Sequence, residues 1–130
     1  MDESIGKVLN FLDEHGLAQN TIVIFFSDNG GGGAADNSPL RGNKGQMFEG
    51  GIRVPCIVRW PVKLPAGETC EEFLTSLEVF PTLCEAAGAK RPKGVKLDGF
   101  DMTPVLQGKK KSQRGEMFWQ RRLDKAARVG

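Results

Sequence analysis

Six consecutive β-branched or aromatic residues, Thr21-Ile-Val-Ile-Phe-Phe26, run directly into Ser27-Asp-Asn-Gly-Gly-Gly-Gly33. No other feature of the chain constrains its fold as tightly. A continuous run of this kind predicts a strand covered on both faces, as in a parallel sheet. The polar, glycine-rich stretch that follows extends to Lys44, and a loop of that length in a compact domain is usually either functional or disordered. Sheets flanked by helices hold ligands beyond the carboxyl ends of their strands, so residues 27–44 are the first place to look for chemistry.

The surrounding pattern supports an α/β reading. Ile5, Val8, Leu9 and Leu12 fall at i, i+3, i+4 and i+7 and predict an amphipathic helix over 2–15, capped by Asp2 or Ser4 and stopped at Gly16. Gly6 inside it costs roughly 1 kcal/mol relative to alanine. A second strand is expected around 52–60, with Pro55 marking an edge or irregular start. A helical region is expected over 74–87, with Pro81 in a first turn and Gly88 as its stop. The basic stretch 90–99 reads as a loop, 102–106 as a short helix, 109–114 as a hydrophilic linker, and 116–120 as the start of a strand.

Composition narrows the function classes. The 130 residues carry a net charge of +2, slightly acidic before residue 60 and slightly basic after it; neither half is basic enough to argue for nucleic acid. No apolar run approaches the ~18 residues of a membrane span, and the first residues are not expected to act as a signal peptide, lacking its charged-apolar-small pattern. Three cysteines, at 56, 70 and 84, form no C-x-x-C pair, so neither a disulfide framework nor a zinc ribbon is indicated. The single histidine, His15, lies at a helix C-terminus, where a cation is favoured by the dipole.

Two local patterns bear on chemistry. Asp28 and Asn29 leave the strand as adjacent hard oxygen donors, the ligand type that calcium and magnesium prefer; the same residues also suit an ordinary Asx-turn. Two donors fall short of the 6–8 that calcium takes, so further ligands must come from elsewhere. Gly30-x-Gly32-x-x-Ala35, with Glu49 downstream, fits the loose dinucleotide fingerprint, but Asp36-Asn-Ser-Pro39 breaks the helix it should open. Further on, Lys44 stands between Gly42 and Gly45. Flanking glycines let backbone and ammonium approach a ligand closely, and a compact cation with three donors suits an oxyanion; an isolated lysine is otherwise a solvated surface charge. Glu49 and Arg53 read as structural partners shaping this loop, and Ser27 lacks a G-x-S-x-G context.

Thr21–Gly31 (TIVIFFSDNGG) followed by Pro39–Pro55 (PLRGNKGQMFEGGIRVP) resembles the later part of the catalytic domain of the sulfatase family, the arylsulfatase-like branch of the alkaline-phosphatase superfamily. Val58–Pro61, Leu77–Gly88 and Leu97–Gly108 continue the likeness in family order. The resemblance implies an α/β, partial alkaline-phosphatase-like fold, a mixed sheet flanked by helices. It implies that residues 1–108 form the C-terminal half of the catalytic domain, with 109–130 a linker and the start of a C-terminal subdomain. It further implies sulfuric-ester hydrolysis, with Asp28 and Asn29 as ligands of a divalent cation (Ca2+, with Mg2+ the alternative) and Lys44 as the catalytic sulfate-binding lysine. The expected partner is a sulfate-ester small molecule or a sulfated glycan, with no nucleic acid.

The departures define what else is expected. Asn43 replaces a common glycine and Glu78 a common aspartate. The family nucleophile is a formylglycine matured within C/S-x-P/A-x-R, and none of Cys56, Cys70 or Cys84 has that context. Formylglycine, the remaining metal aspartates and the active-site histidines are therefore expected upstream of this segment, and the chain alone is expected to be inactive. A phosphomonoester or phosphonate hydrolase of the same superfamily, or a non-catalytic anion- or metal-binding module, would fit the same residues. Relatives are commonly periplasmic, secreted or lysosomal, which leaves the compartment of this chain open.

Overall fold

The computed structural model describes residues 1–90 and 93–129. Two units emerge, one formed by Met1–Val62 with the segment from Glu116 onward, the other by Lys63–Gly115. Arg91 and Pro92, in the basic loop expected over 90–99, lie outside the described residues, as does Gly130.

In the first unit, helix α1 spans Asp2–Glu14. No side chain caps it; Asp2 is already its first residue, and with Glu3 it places negative charge in the first turn, where the helix dipole favours it. The stop falls at Gly16 as expected. Gly16 N–H donates to Asp13 O at 3.1 Å and Leu17 N–H to Leu12 O at 2.8 Å, the paired bonds of a Schellman closure. The apolar stripe is only partly covered: Ile5, Leu9 and Leu12 are half-buried, whereas Val8 is exposed.

Strand β1, Val23–Phe26, pairs with β2, Cys56–Arg59, in the register Val23↔Arg59 to Phe26↔Cys56. The pairing is antiparallel, which corrects the parallel arrangement expected from the apolar run. Coverage is also less than expected, for Phe25 and Phe26 are each 39% exposed and Ile57 is 64% exposed. The physical reason lies in the connection. Parallel neighbours need a crossover, usually a full helix, but residues 27–55 contain only the one-turn helix α2, Glu49–Ile52. The loop therefore turns the chain back on itself, and β2 starts directly after Pro55 as an edge strand. A hairpin completes the unit: β3, Glu116–Arg121, pairs antiparallel with β4, Asp124–Val129, through a turn at Arg122-Leu123. In place of the mixed sheet, the described residues form two separate two-stranded antiparallel sheets.

The second unit is built around a short helix pair. Thr75 and Glu78 form a capping box on a 3-10 turn at Ser76–Glu78, which leads into α3, Val79–Ala86. Pro81 sits in the first turn of α3, where a missing N–H is least costly, and it is buried with Thr82. Helix α4, Thr103–Leu106, is locked to α3 by Thr82, whose Oγ1 donates to Glu78 O (2.6 Å) and accepts from Met102 N–H (2.9 Å). Met102 and Val105 supply the buried apolar side chains here, each 4% exposed.

The 109–114 run is less free than a linker. Its lysines are exposed, but Ser112 N–H donates to Glu72 Oε2 at 2.8 Å and Ser112 Oγ to Phe73 O at 2.5 Å. Arg114 pairs with the fully buried Glu78 carboxylate through Nε and Nη2, and Nη2 also donates to Asp98 O at 3.0 Å. Burying a carboxylate is tolerable only with this kind of multiple compensation.

Candidate functional site

All three residues singled out from the sequence lie in the loop between β1 and β2. At its start, Ser27 Oγ donates to Asn29 O at 2.7 Å, bending the chain as it leaves β1. Asp28 is exposed and Asn29 half-buried. Behind them the backbone enters a dense region. Gly30 N–H donates to Gly51 O at 3.0 Å, and a Cβ on Gly30 would overlap the Gly50 carbonyl. Gly50 N–H in turn donates to Arg41 O at 2.7 Å, with the carbonyls of Gly42 and Arg41 occupying the place of any side chain at position 50. The glycine content thus reflects backbone packed on backbone.

Asn37 acts as the clasp of this region. Its Oδ1 accepts from Gly31 N–H at 2.9 Å, while its Nδ2 donates to Gly31 O at 2.9 Å and to Gly42 O at 3.2 Å. Gly31 O also accepts Lys44 N–H at 2.9 Å. The strand end and the turn bearing Lys44 are therefore tied together at Gly31, two residues after Asn29 and three after Asp28. Lys44 is the second residue of a turn closed by Gln46 N–H donating to Asn43 O at 3.0 Å. Gly45 follows with φ +92°, the positive value a type II turn requires at its third position. The aliphatic stem of Lys44 runs beside Gly32, where an added Cβ would stand 3.1 Å from the Lys44 Cβ.

Around this core, Arg41 stacks on Phe48 with its guanidinium carbon 4.0 Å from the ring centre. Glu49 and Arg53 pair at 3.5 Å, the shaping role expected of them. Asp36 Oδ1 accepts Ser38 N–H at 2.8 Å, which holds the Asp36 carboxyl below its ordinary range. Asn37 was not among the residues singled out; in the sequence it is one polar residue in a polar stretch, with nothing to distinguish a clasp from an Asx-turn.

The side chains of Asp28, Asn29 and Lys44 make no hydrogen bond or ion pair with other described residues. Asp28 and Asn29 offer a carboxylate and an amide oxygen, a donor set that suits a hard divalent cation. They fit such an ion as part of a coordination shell, since no group of three or more His, Cys, Asp or Glu able to hold a metal occurs among the described residues. The dinucleotide pattern has no structural counterpart: Ala35 N–H closes a turn onto Gly32 O, and α2 begins only at Glu49.

The remaining candidates stand apart from this chemistry. All three cysteines are free. Local burial of its sulfur pushes the Cys56 thiol up, although the residue as a whole is exposed, and this opposes thiolate formation. His15 hydrogen-bonds to Phe11 O at 2.9 Å and stacks on the Phe11 ring at 4.0 Å. No helix among the described residues is long and apolar enough to cross a membrane.

Known proteins share this arrangement of sequence and fold. Residues 1–89 match the Sulfatase family model. Steryl-sulfatase of Mus musculus is 43% identical over 118 residues, covering 83% of this chain and 19% of that protein. The crystal structure of Ps i-CgsB in complex with k-i-k-neocarrahexaose matches with a TM-score of 0.88 and 33% identity, over 98% of this chain and 30% of that one. BT4656, solved with its substrate D-glucosamine-2-N,6-O-disulfate, matches with a TM-score of 0.74 and 25% identity, over 98% of this chain and 27% of that one. The chain belongs to the sulfatase family. It spans about a fifth of the length of the curated relatives it matches.

Proposed function

We propose that this chain supplies one side of a sulfuric-ester hydrolase site, with Asp28 and Asn29 as cation ligands and Lys44 as the group that neutralises the sulfuryl oxygens. In this reading residues 1–108 belong to the later part of the catalytic domain, and 109–130 lead into a C-terminal subdomain. The observation that carries it is the bond from Lys44 N–H to Gly31 O, which fixes the lysine turn against the strand end that bears Asp28 and Asn29.

The division of labour follows from charge. Asp28 supplies an anionic oxygen and Asn29 a neutral one, and the ion they would hold, Ca2+ or Mg2+, supplies Lewis-acid stabilisation of oxyanions. Lys44 presents an ammonium from a turn whose backbone is fixed by the bond to Gly31 O; a cation placed at the sulfuryl oxygens favours attack at a tetrahedral anion. The solvent exposure of Asp28 and Lys44 keeps both accessible. The ligand class would be a sulfate ester of a small molecule or glycan, in line with the sulfated sugar bound by BT4656. The attacking group would be a formylglycine, for which none of the three cysteines has the required context.

The test uses the full-length enzyme that carries this segment. Lys44→Ala should lower kcat/KM for an aryl sulfate by roughly 10²–10³-fold, as for loss of one oxyanion donor, with bound cation per protein unchanged. Asp28→Ala should lower cation content and turnover together. Wild-type turnover in Lys44→Ala, or unchanged cation content and turnover in Asp28→Ala, would overturn the assignment. Faster turnover of phenyl phosphate than phenyl sulfate by the unmodified enzyme would assign it to phosphoester hydrolysis. The 130-residue chain alone should show no turnover of either.

A further inference from the structure

Lys44 has its N–H fixed by Gly31 O, but the other end of its turn is held from a distant part of the sequence. Arg121, the last residue of β3, donates from Nη1 to Gly45 O at 2.9 Å. The contact is tight: a Cβ on Gly45 would lie 3.1 Å from that same Nη1. Position 45 is confined to glycine by its φ of +92°, with the Arg121 guanidinium close beside it.

Arg121 is well placed to hold a fixed point. It faces Asp124 across the tight turn between β3 and β4, and its backbone belongs to a six-residue antiparallel ladder. An Arg guanidinium is a planar fork whose donors are arranged in advance, so it loses less freedom per hydrogen bond than a lysine does. The carbonyl it grips belongs to the third residue of the turn that carries Lys44. Between the two anchor points, Gly31 O on one side and Arg121 Nη1 on the other, lie only Lys44 and Gly45. Such a turn can otherwise reorient its central peptide and swing the second residue's side chain, because glycine accepts both signs of φ.

We propose that Arg121 is a positioning residue for Lys44, holding the lysine turn in its anion-binding geometry through the Gly45 carbonyl. This rests on the reading of Lys44 as the sulfate-binding group. The guanidinium acts through the turn and makes no contact with substrate.

A double-mutant cycle in the full-length enzyme tests this, because residues acting through one another give non-additive losses. Arg121→Met should lower kcat/KM for an aryl sulfate about tenfold, the scale of a hydrogen bond to a charged group. It should raise the inhibition constant of inorganic sulfate by a similar factor and leave bound cation unchanged. In a Lys44→Ala background the same change should have no further effect. Arg121→Lys, which keeps the charge and remains usable where the methionine variant fails to fold, should give an intermediate loss with the same non-additivity. Wild-type kcat/KM in Arg121→Met, or an equal loss with and without Lys44, would overturn the inference while leaving the role of Lys44 intact. Wild-type turnover in Lys44→Ala alone would instead overturn the function on which the inference rests.

Discussion

Single residues in the β1–β2 loop are constrained by backbone proximity more than by their own chemistry. Gly50 makes the point quantitatively. It lies within α2, where alanine is favoured over glycine by about 1 kcal/mol, so propensity alone would make Gly50→Ala stabilising. The carbonyls of Gly42 and Arg41 already occupy the space of its Cβ, however. The substitution must displace one of them and break the bond from Gly50 N–H to Arg41 O; leaving a buried donor unmade costs about 1–3 kcal/mol before any strain is counted. Packing wins. Gly50→Ala should lower the thermal midpoint of the chain, and in the full-length enzyme it should lower aryl-sulfate turnover more than cation content, because the displaced segment leads to Lys44. The sequence does mark Asp28, Asn29 and Lys44, since charged and amide side chains among glycines stand out. It does not mark Asn37, Arg114 or Arg121, whose partners are brought to them only by folding.

At the scale of elements, legibility follows the locality of the forces. Helix α1 can be read because its apolar spacing and its Gly16 stop are local, and both appear in the structure. Its weak point is local too: Gly6 has open space around its Cβ position, so Gly6→Ala should stabilise the chain by about 1 kcal/mol. Chemical denaturation with an unchanged slope and a higher midpoint would register that gain. Helix α2 escapes a sequence reading because Glu49-Gly-Gly-Ile52 has two poor helix formers at its centre; it forms where the loop packs, against propensity. The direction of β1 is likewise illegible. An apolar run reports that a strand seeks cover, but the direction of its partner depends on how residues 27–55 return the chain, and no periodicity encodes that. In the second unit, the buried Glu78–Arg114 pair joins residues 36 positions apart, and each would be read from sequence as solvated.

For the molecule as a whole, each unit holds a carboxyl below its ordinary range, Asp36 in the first and Glu72 in the second. Ser112 N–H and the Lys111 ammonium, at 3.1 Å, both favour the ionised form of Glu72, and the backbone bond from Ser112 is the larger influence. Its carboxyl is held below the ordinary glutamate value of about 4.3. A carboxylate whose pKa is lowered on folding binds fewer protons in the folded state, so it contributes stability above the ordinary value and loses that contribution as pH falls through the lowered one. Acid should therefore loosen the 112–114 strap of the second unit. Glu72→Gln should flatten the dependence of the thermal midpoint below about pH 5, because it lowers the midpoint near pH 7, where the ionised carboxylate contributes fully, and changes it least in acid.

The Asn37 clasp has a consequence for how this segment can diversify. Residues 33–36 lie exposed at the tip of the β1–β2 loop, outside the bonds by which Asn37 joins Gly31 to Gly42. Extra chain inserted there would be closed off by the clasp rather than by the strands. Doubling the length of a flexible loop costs only about 0.6 kcal/mol in closure entropy, a small fraction of a domain's stability. The tip can thus be lengthened, shortened or recomposed while Asp28, Asn29 and Lys44 keep their backbone registration, which separates a stretch free to change from the stretch that carries the candidate site.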